Sequence, residues 1–167
     1  EKVSCDCICV SGNWTPTVHL SSQSGNKLKF DEKIDAFIPD RSRQSETTIG
    51  AANGSFTLKK SLEDGFNKGY ELSNKITEKN IKISIPTSNE RSYAQHDKFW
   101  CMPLPKNKHF KRFVDFQNDV AVSDIELAVR EGFRSIEHVK RYTTLGMATD
   151  QGRTSNLNGL QLVSNIQ

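Results

Sequence analysis

Residues 78–112, "EKNIKISIPTSNERSYAQHDKFWCMPLPKNKHFKR", constrain this chain more than any other stretch. They hold three prolines, scattered charge and no sustained apolar period. Proline interrupts both helices and central strands, so no single core element runs through this region. The 167 residues suffice for one ordinary domain or two small ones. The reading is therefore a first part at 1–77, a connecting segment at 78–112 and a second part at 113–167. The expected class is α+β, with strands plus one helix first and three short helices last.

Hydrophobic residues make up 35% of the chain and charged residues 26%, which describes a soluble, rather polar protein. A net charge of +3 is too small to argue for nucleic acid. No apolar run approaches the ~20 residues of a membrane helix, and no signal-peptide pattern is read at the start. The chain opens on Glu1 and leads at once into "VSCDCICVSG", so it is expected to be a piece of a longer protein. Cys5, Cys7 and Cys9 alternate and would share one face of a strand, ~6.6 Å apart. That is a poor chelate for one tetrahedral metal with bonds of ~2.3 Å, so they read as small buried core residues. Cys101 stands alone and reads as buried. Nothing demands a disulfide, which makes a reducing cytoplasm the expected compartment.

Residues 3–10 read as a buried strand ending at Ser11-Gly12. Pro16 ends one element, and Ser24-Gly25-Asn26 reads as a turn between two extended runs. Leu28 and Phe30 alternate with Lys27, Lys29 and Asp31, as in a half-buried hairpin strand. Residues 41–46 read as a solvated loop, and 47–56 as a strand entering a Gly-rich turn. Leu58, Leu62, Phe66, Tyr70 and Leu72 then recur at helical spacing, with Thr57 as N-cap. The basic run at 106–112 reads as a solvated linker or a surface for an acidic partner, ahead of a nucleic-acid contact.

In the last part, Ser123 and Glu126 have capping-box spacing. Ile125, Ala128, Val129 and Phe133 form an apolar stripe, and Gly132 is placed to end that helix. Ser135 is placed to cap the next helix, with Ile136 and Val139 inward and Lys140 and Arg141 suiting its C-terminal dipole. Thr154 or Ser155 opens a third helix with Leu157, Leu160, Val163 or Ser164, and Ile166 periodic. Three such short helices bury little area and need neighbours.

Candidate chemistry is sparse. "GAANG", residues 50–54, precedes a helix start, where free N–H groups and the dipole favour an anion. The same residues also read as a tight turn needing positive φ at Gly54. The G-x-G-x-x-G dinucleotide fingerprint is absent. His19, His96, His109 and His138 are scattered, and Glu126, Glu131 and Glu137 read as solvated helix charges. No nucleophile–base set or acid–base pair emerges. The polar loop "YTTLGMATDQGRTSN", 142–156, is rich in backbone donors and looks built to hold something.

The stretch "FVDFQNDVAVSDIELAVREGFRSIEHVKRYTTLGMATDQGRTSN", 113–156, resembles the small domain in the alpha subunit of heterotetrameric sarcosine oxidases. "CDCICVSGNWTPTVHLSSQSGNKLKFDEKIDAFIP" resembles the closing segment of that subunit's nucleotide-binding domain, with "GAANG" and the next helix as its last strand–turn–helix. The resemblance covers nearly the whole chain and is weakest at 78–105. The second part is also similar, more distantly, to the [2Fe–2S] helical domains related to bacterioferritin-associated ferredoxin. Superposing those patterns puts Asp115 and Gln117 at one cysteine pair and Asp150 and Ser155 at the other. Four thiolates hold such a cluster, so no iron–sulfur cluster is expected.

For the sites, the resemblance implies an NAD pocket bordered by Gly12, Trp14, Pro16, Gly50, Ala51 and Gly54. Related reductases carry a Gly-Asp pair there, and Ala51 replaces the acid, leaving backbone contacts alone. It also implies FMN between the alpha and beta subunits. Lys140, Arg141, Thr149, Asp150, Gln151 and Arg153 would serve a flavin phosphate or a subunit contact, or else Asp150 and Gln151 only cap helices. The implied complex, with beta, gamma and delta subunits, oxidises sarcosine to glycine and forms peroxide. Its FAD lies on beta, and tetrahydrofolate takes the one-carbon unit in a folate-binding domain. No catalytic side chain is expected in this chain, and no metal. Two other readings stand beside it, a docking module without cofactor and a subunit of a related opine or N-methyl amine oxidoreductase.

Overall fold

The computed structural model describes residues 3–4, 14–77, 84–90, 99–104 and 110–167. The expected strand at 3–10, with Cys5, Cys7, Cys9 and Gly12, lies almost wholly outside the described residues, as does most of the basic run at 106–112. The chain forms two compact units, 1–96 and 97–167. Helices mixed with small antiparallel sheets make the α+β class.

In the first unit, α1 (His19–Gln23) is closed by a left-handed Gly25 at φ +80. The Gly25 N–H donates to the Ser22 carbonyl at 3.0 Å and the Asn26 N–H to the Ser21 carbonyl at 3.2 Å. That pair of bonds is a Schellman helix end. Ser24-Gly25-Asn26 therefore joins a helix to a strand, a correction to the turn expected between two extended runs. The hairpin follows it: β1 (Leu28–Asp31) pairs antiparallel with β2 (Ala36–Pro39), Leu28 opposite Pro39 and Asp31 opposite Ala36. Phe30 and Phe37 face each other across the pair, rings edge-on at 5.3 Å, within the range of favourable aromatic pairs.

Residues 47–49 run extended but join no sheet among the described residues, so the strand expected there is not formed. A 3₁₀ turn follows at Gly50–Asn53, and Gly54 adopts φ +85. Glycine is favoured there by the left-handed φ, and a Cβ would also press on the tip of the Ile34 side chain at 2.9 Å. Helix α2 (Leu58–Thr77) has 20 residues. As expected, Thr57 caps it, its hydroxyl accepting the Lys60 N–H at 3.2 Å. No residue of α2 is fully buried.

The second unit opens on a small hairpin that periodicity does not reveal: β3 (Phe113–Asp115) against β4 (Val120–Ala121), irregular at Asp115. Helix α3 (Val122–Arg130) starts one residue before Ser123. Its cap is shifted from the expected one: Ala121 is the N-cap, and the Asp124 carboxylate accepts the Ala121 N–H at 2.8 Å. Gly132, at φ +97, ends it as expected, with the Phe133 N–H reaching the Ala128 carbonyl at 3.1 Å. Helix α4 (Ile136–Thr143) has Ser135 at its N-cap, but the hydroxyl makes no capping bond. Helix α5 (Asn156–Ile166) starts after Ser155. It buries Gly159, Leu162 and Val163, so of the expected stripe Leu157, Leu160, Val163 or Ser164, and Ile166, Val163 turns fully inward and the others do not.

Val114, Val120, Val122, Ile125, Ala128, Val139, Leu145, Leu162 and Val163 form one core, and Cys101, Val129, Phe133 and Ile136 pack against it half-buried. Leu145 lies on Gly159 so closely that an added Cβ would overlap its side chain. Gly159→Ala is expected to destabilise the second unit by about 1–3 kcal/mol through overpacking. Gly69→Ala, where an added Cβ meets nothing within 4 Å, is expected to stabilise the first unit by up to about 1 kcal/mol. Urea unfolding of both variants checks the opposite signs.

Candidate functional site

The sharpest geometry in the molecule gathers around Asp115, which is 2% exposed. One carboxylate oxygen accepts the N–H groups of Gln117 at 2.9 Å and Asn118 at 3.3 Å. The other accepts the Gly146 N–H at 2.7 Å and the Ser155 hydroxyl at 3.4 Å. A carboxylate with several backbone donors is well compensated for burial. Asn118 also donates its amide to the Thr144 carbonyl at 2.8 Å, and the Thr149 hydroxyl donates to the Gln117 side chain at 2.8 Å. The β3–β4 turn, the 144–155 loop and the start of α5 are thus held to one another.

Three of the residues around this cluster, Asp119, Thr144 and Gln151, sit at positive φ without being glycine. For a β-branched residue such as Thr144 that is strained. Gly146 and Gly152 are left-handed as well, and the Asn156 side chain lies against both, so a Cβ on either would overlap it. The Asn156 amide nitrogen donates to the Gln151 carbonyl at 3.3 Å.

Asp150 forms a second, half-buried carboxylate turn. It accepts the Gly152 N–H at 3.0 Å, the Thr154 hydroxyl at 2.7 Å and the Thr154 N–H at 3.3 Å. The Thr154 hydroxyl first, then the Gly152 N–H, holds its carboxyl below the usual carboxylate range. Lys140 and Arg141 occupy the last turn of α4, as expected. Among the described residues, no acid pairs with Lys140, Arg141 or Arg153.

The first unit repeats the theme at Gly50–Gly54. Ser55 donates to Asp64 at 2.6 Å, and Lys60 lies 3.0 Å from the same carboxylate. The Ser55 hydroxyl chiefly lowers the Asp64 pKa, partial burial opposes it, and Lys60 and the Gly50 N–H add to the lowering. At the start of α2 the Lys59 N–H donates to Glu90 at 3.1 Å. Trp14 is 70% exposed, and Gly12 lies outside the described residues.

The four positions matched to cluster cysteines are occupied by Asp115, Gln117, Asp150 and Ser155. They offer oxygen and amide groups where an iron–sulfur cluster needs thiolates, so the donor set does not fit that group. Among the described residues, no group of three or more His, Cys, Asp or Glu is placed to hold a metal ion. In the second-unit loop the Gly146, Gly152 and Thr154 N–H groups already face Asp115 and Asp150, whereas beside the 50–54 turn Asp64 is held by the Ser55 hydroxyl and Lys60. The sequence reading placed the two halves of the second-unit site but missed Asp115 as their joint. The available signal was an Asp two residues before Gln117 and three before Asn118, the spacing of an Asx-turn.

Residues 109–167 match the model of the sarcosine oxidase A3 domain, which makes the second unit a domain of that class. The chain is 33% identical to sarcosine oxidase subunit alpha of Rhizobium meliloti (strain 1021), over 98% of its own length and 16% of that protein's. It is 30% identical to the subunit alpha of Corynebacterium sp. (strain P-1), over 99% of its length and 18% of the relative's. For Corynebacterium sp. (strain U-96) the identity is 31%, with the same 99% and 18% coverage. Residues 109–167 thus carry a sarcosine oxidase A3 domain, and the chain is similar along 98–99% of its length to sarcosine oxidase alpha subunits. It spans 16–18% of the length of these relatives.

Asp115→Ala is expected to destabilise the second unit by about 3 kcal/mol or more, because it leaves buried donors without a partner. Urea denaturation followed by Trp and Phe signals measures it. Asp64 is ionised more easily in the folded state than in the unfolded chain, so its contribution is present above the usual carboxylate pKa of about 4 and lost as pH falls through the lower folded value. Asp64→Asn is expected to flatten the acid limb of first-unit stability, read by melting temperature between about pH 5 and 2.

Proposed function

We propose that this chain is a structural module of a sarcosine-oxidase-type alpha subunit and supplies no catalytic side chain. The observation that carries the reading is the alignment to three alpha subunits over 98–99% of the chain. The whole complex, on this reading, oxidatively demethylates sarcosine to glycine, with formation of peroxide and transfer of the one-carbon unit to tetrahydrofolate. Its FAD would lie on the beta subunit, its FMN between the alpha and beta subunits, and its folate chemistry in a further folate-binding domain of the alpha subunit, with gamma and delta as additional partners. Within the chain, Trp14 and the 50–54 turn would border an NAD pocket. Lys140, Arg141, Arg153 and the Thr149–Gln151 turn would face the FMN side of the beta-subunit interface. Among the described residues, no helix is long and apolar enough to cross a membrane, and we place the complex in the cytoplasm.

The chemistry available supports a scaffolding role. His19 and His138, the histidines among the described residues, take no part in a hydrogen-bonded nucleophile or acid–base arrangement. The carboxylates with lowered pKa values, Asp64, Glu71 and Asp150, are held by neighbouring donors and cations. A general base working near neutral pH needs its pKa shifted the other way.

The test is sarcosine-dependent peroxide formation by the assembled protein that contains this chain. Gln117→Ala and Asp150→Ala are expected to keep turnover within about twofold, whereas loss of a general acid or base removes about 10²–10⁴-fold. A loss of that size in a complex that still assembles would defeat the scaffolding role. Absence of peroxide with sarcosine from the unmutated complex would defeat the alpha-subunit reading.

A further inference from the structure

We infer that the 146–155 loop of the second unit is a cradle already filled by the chain's own carboxylates, Asp115 and Asp150, and by the Asn156 side chain, so that it receives neither a flavin nor a dinucleotide phosphate. The inference narrows the FMN contact of the preceding reading to side chains, yet its geometry stands independently of that reading. A loop that binds phosphate offers unpaired N–H groups converging on an open concavity. Here the Gly146 N–H is spent on Asp115 at 2.7 Å, and the Gly152 and Thr154 N–H groups on Asp150 at 3.0 and 3.3 Å. The Gln151 and Arg153 N–H groups go to the Ala148 and Asp150 carbonyls at 2.9 and 3.2 Å. The Met147 N–H goes to the Thr144 carbonyl at 3.2 Å.

Shape gives the same answer as this accounting, which covers the Gly146, Met147 and 151–154 N–H groups and leaves those of Ala148, Thr149 and Asp150 outside it. The two left-handed glycines, Gly146 and Gly152, leave the kind of gap through which a ligand can approach backbone. That gap holds the Asn156 side chain, which an added Cβ at either glycine would overlap. A phosphate would have to expel this amide and then sit beside two carboxylates, one of them 2% exposed. Like charges in a partly desolvated site repel far more strongly than in water. Lys140, Arg141 and Arg153 remain as cations that can meet an acidic partner through side chains alone.

The experiment is ¹⁵N–¹H spectroscopy of the full 167-residue chain titrated separately with inorganic phosphate, FMN and NAD. The Gly146, Gly152 and Thr154 amides are expected to stay unmoved by all three. Saturable shifts at Gly146 and Gly152 in the unmutated chain would overturn the inference. In Asp150→Ala, freed Gly152 and Thr154 amides are expected to shift with phosphate while Gly146 does not, and no response there would refute the stand-in role of Asp150. The spectrum also reports whether the variant has folded, and Asp150→Asn replaces it if not. The peroxide assay reads the alpha-subunit assignment separately, so the two ideas fail in different measurements.

Discussion

Everything in the second unit turns on a single buried negative charge. The Asp115 carboxylate takes two N–H groups from its own turn and one N–H and one hydroxyl from residues 31 and 40 positions later. A buried carboxylate tolerates its site only when its lone pairs are used. The small apolar core of valines and leucines sets helix packing, but it does not by itself fix the path of the loop between α4 and α5. The carboxylate does, by binding the loop's Gly146 N–H directly.

That constraint explains the left-handed residues clustered nearby. A chain that must bring Gly146 to Asp115, Thr149 to Gln117 and Asp150 to Gly152 within a few residues has to reverse sharply more than once. Glycine takes two of these positions, and Thr144 and Gln151 take others at some cost in strain. Such strain persists only where surrounding contacts over-determine it. The same logic recurs at Gly50–Gly54, where Asp64 gathers Ser55, Lys60 and the Gly50 N–H. In the second unit, the loop that looked open to a ligand has its Gly146, Gly152 and Thr154 N–H groups taken by aspartates of the chain itself.

Local signals in the sequence were largely legible. Thr57 as a cap, Gly132 as a stop, Ser155 before the last helix and the cations of α4 all fell where short-range chemistry puts them. Errors arose where a local signal had two structural meanings. Ser24-Gly25-Asn26 closes helices and hairpins alike, and only the preceding α1 decides. Asp124 took the capping role in place of Glu126 because the β4 strand runs up to Ala121 and starts the helix early. The inward face of α5 shifted because Leu145 needs the bare backbone of Gly159. Asp115 was grouped with Ser155 only through a resemblance; its role as the joint of the loop was harder to see, because its partners Gly146 and Ser155 lie 31 and 40 residues away.

The span of that contact bears on how the unit comes into being. Ser155 lies 40 residues beyond the carboxylate it reaches. During synthesis the β3–β4 turn and α3 leave the ribosome with Asp115 still lacking half its donors. Contacts of such long sequence separation slow folding in general, because the intervening chain must be closed before they are gained.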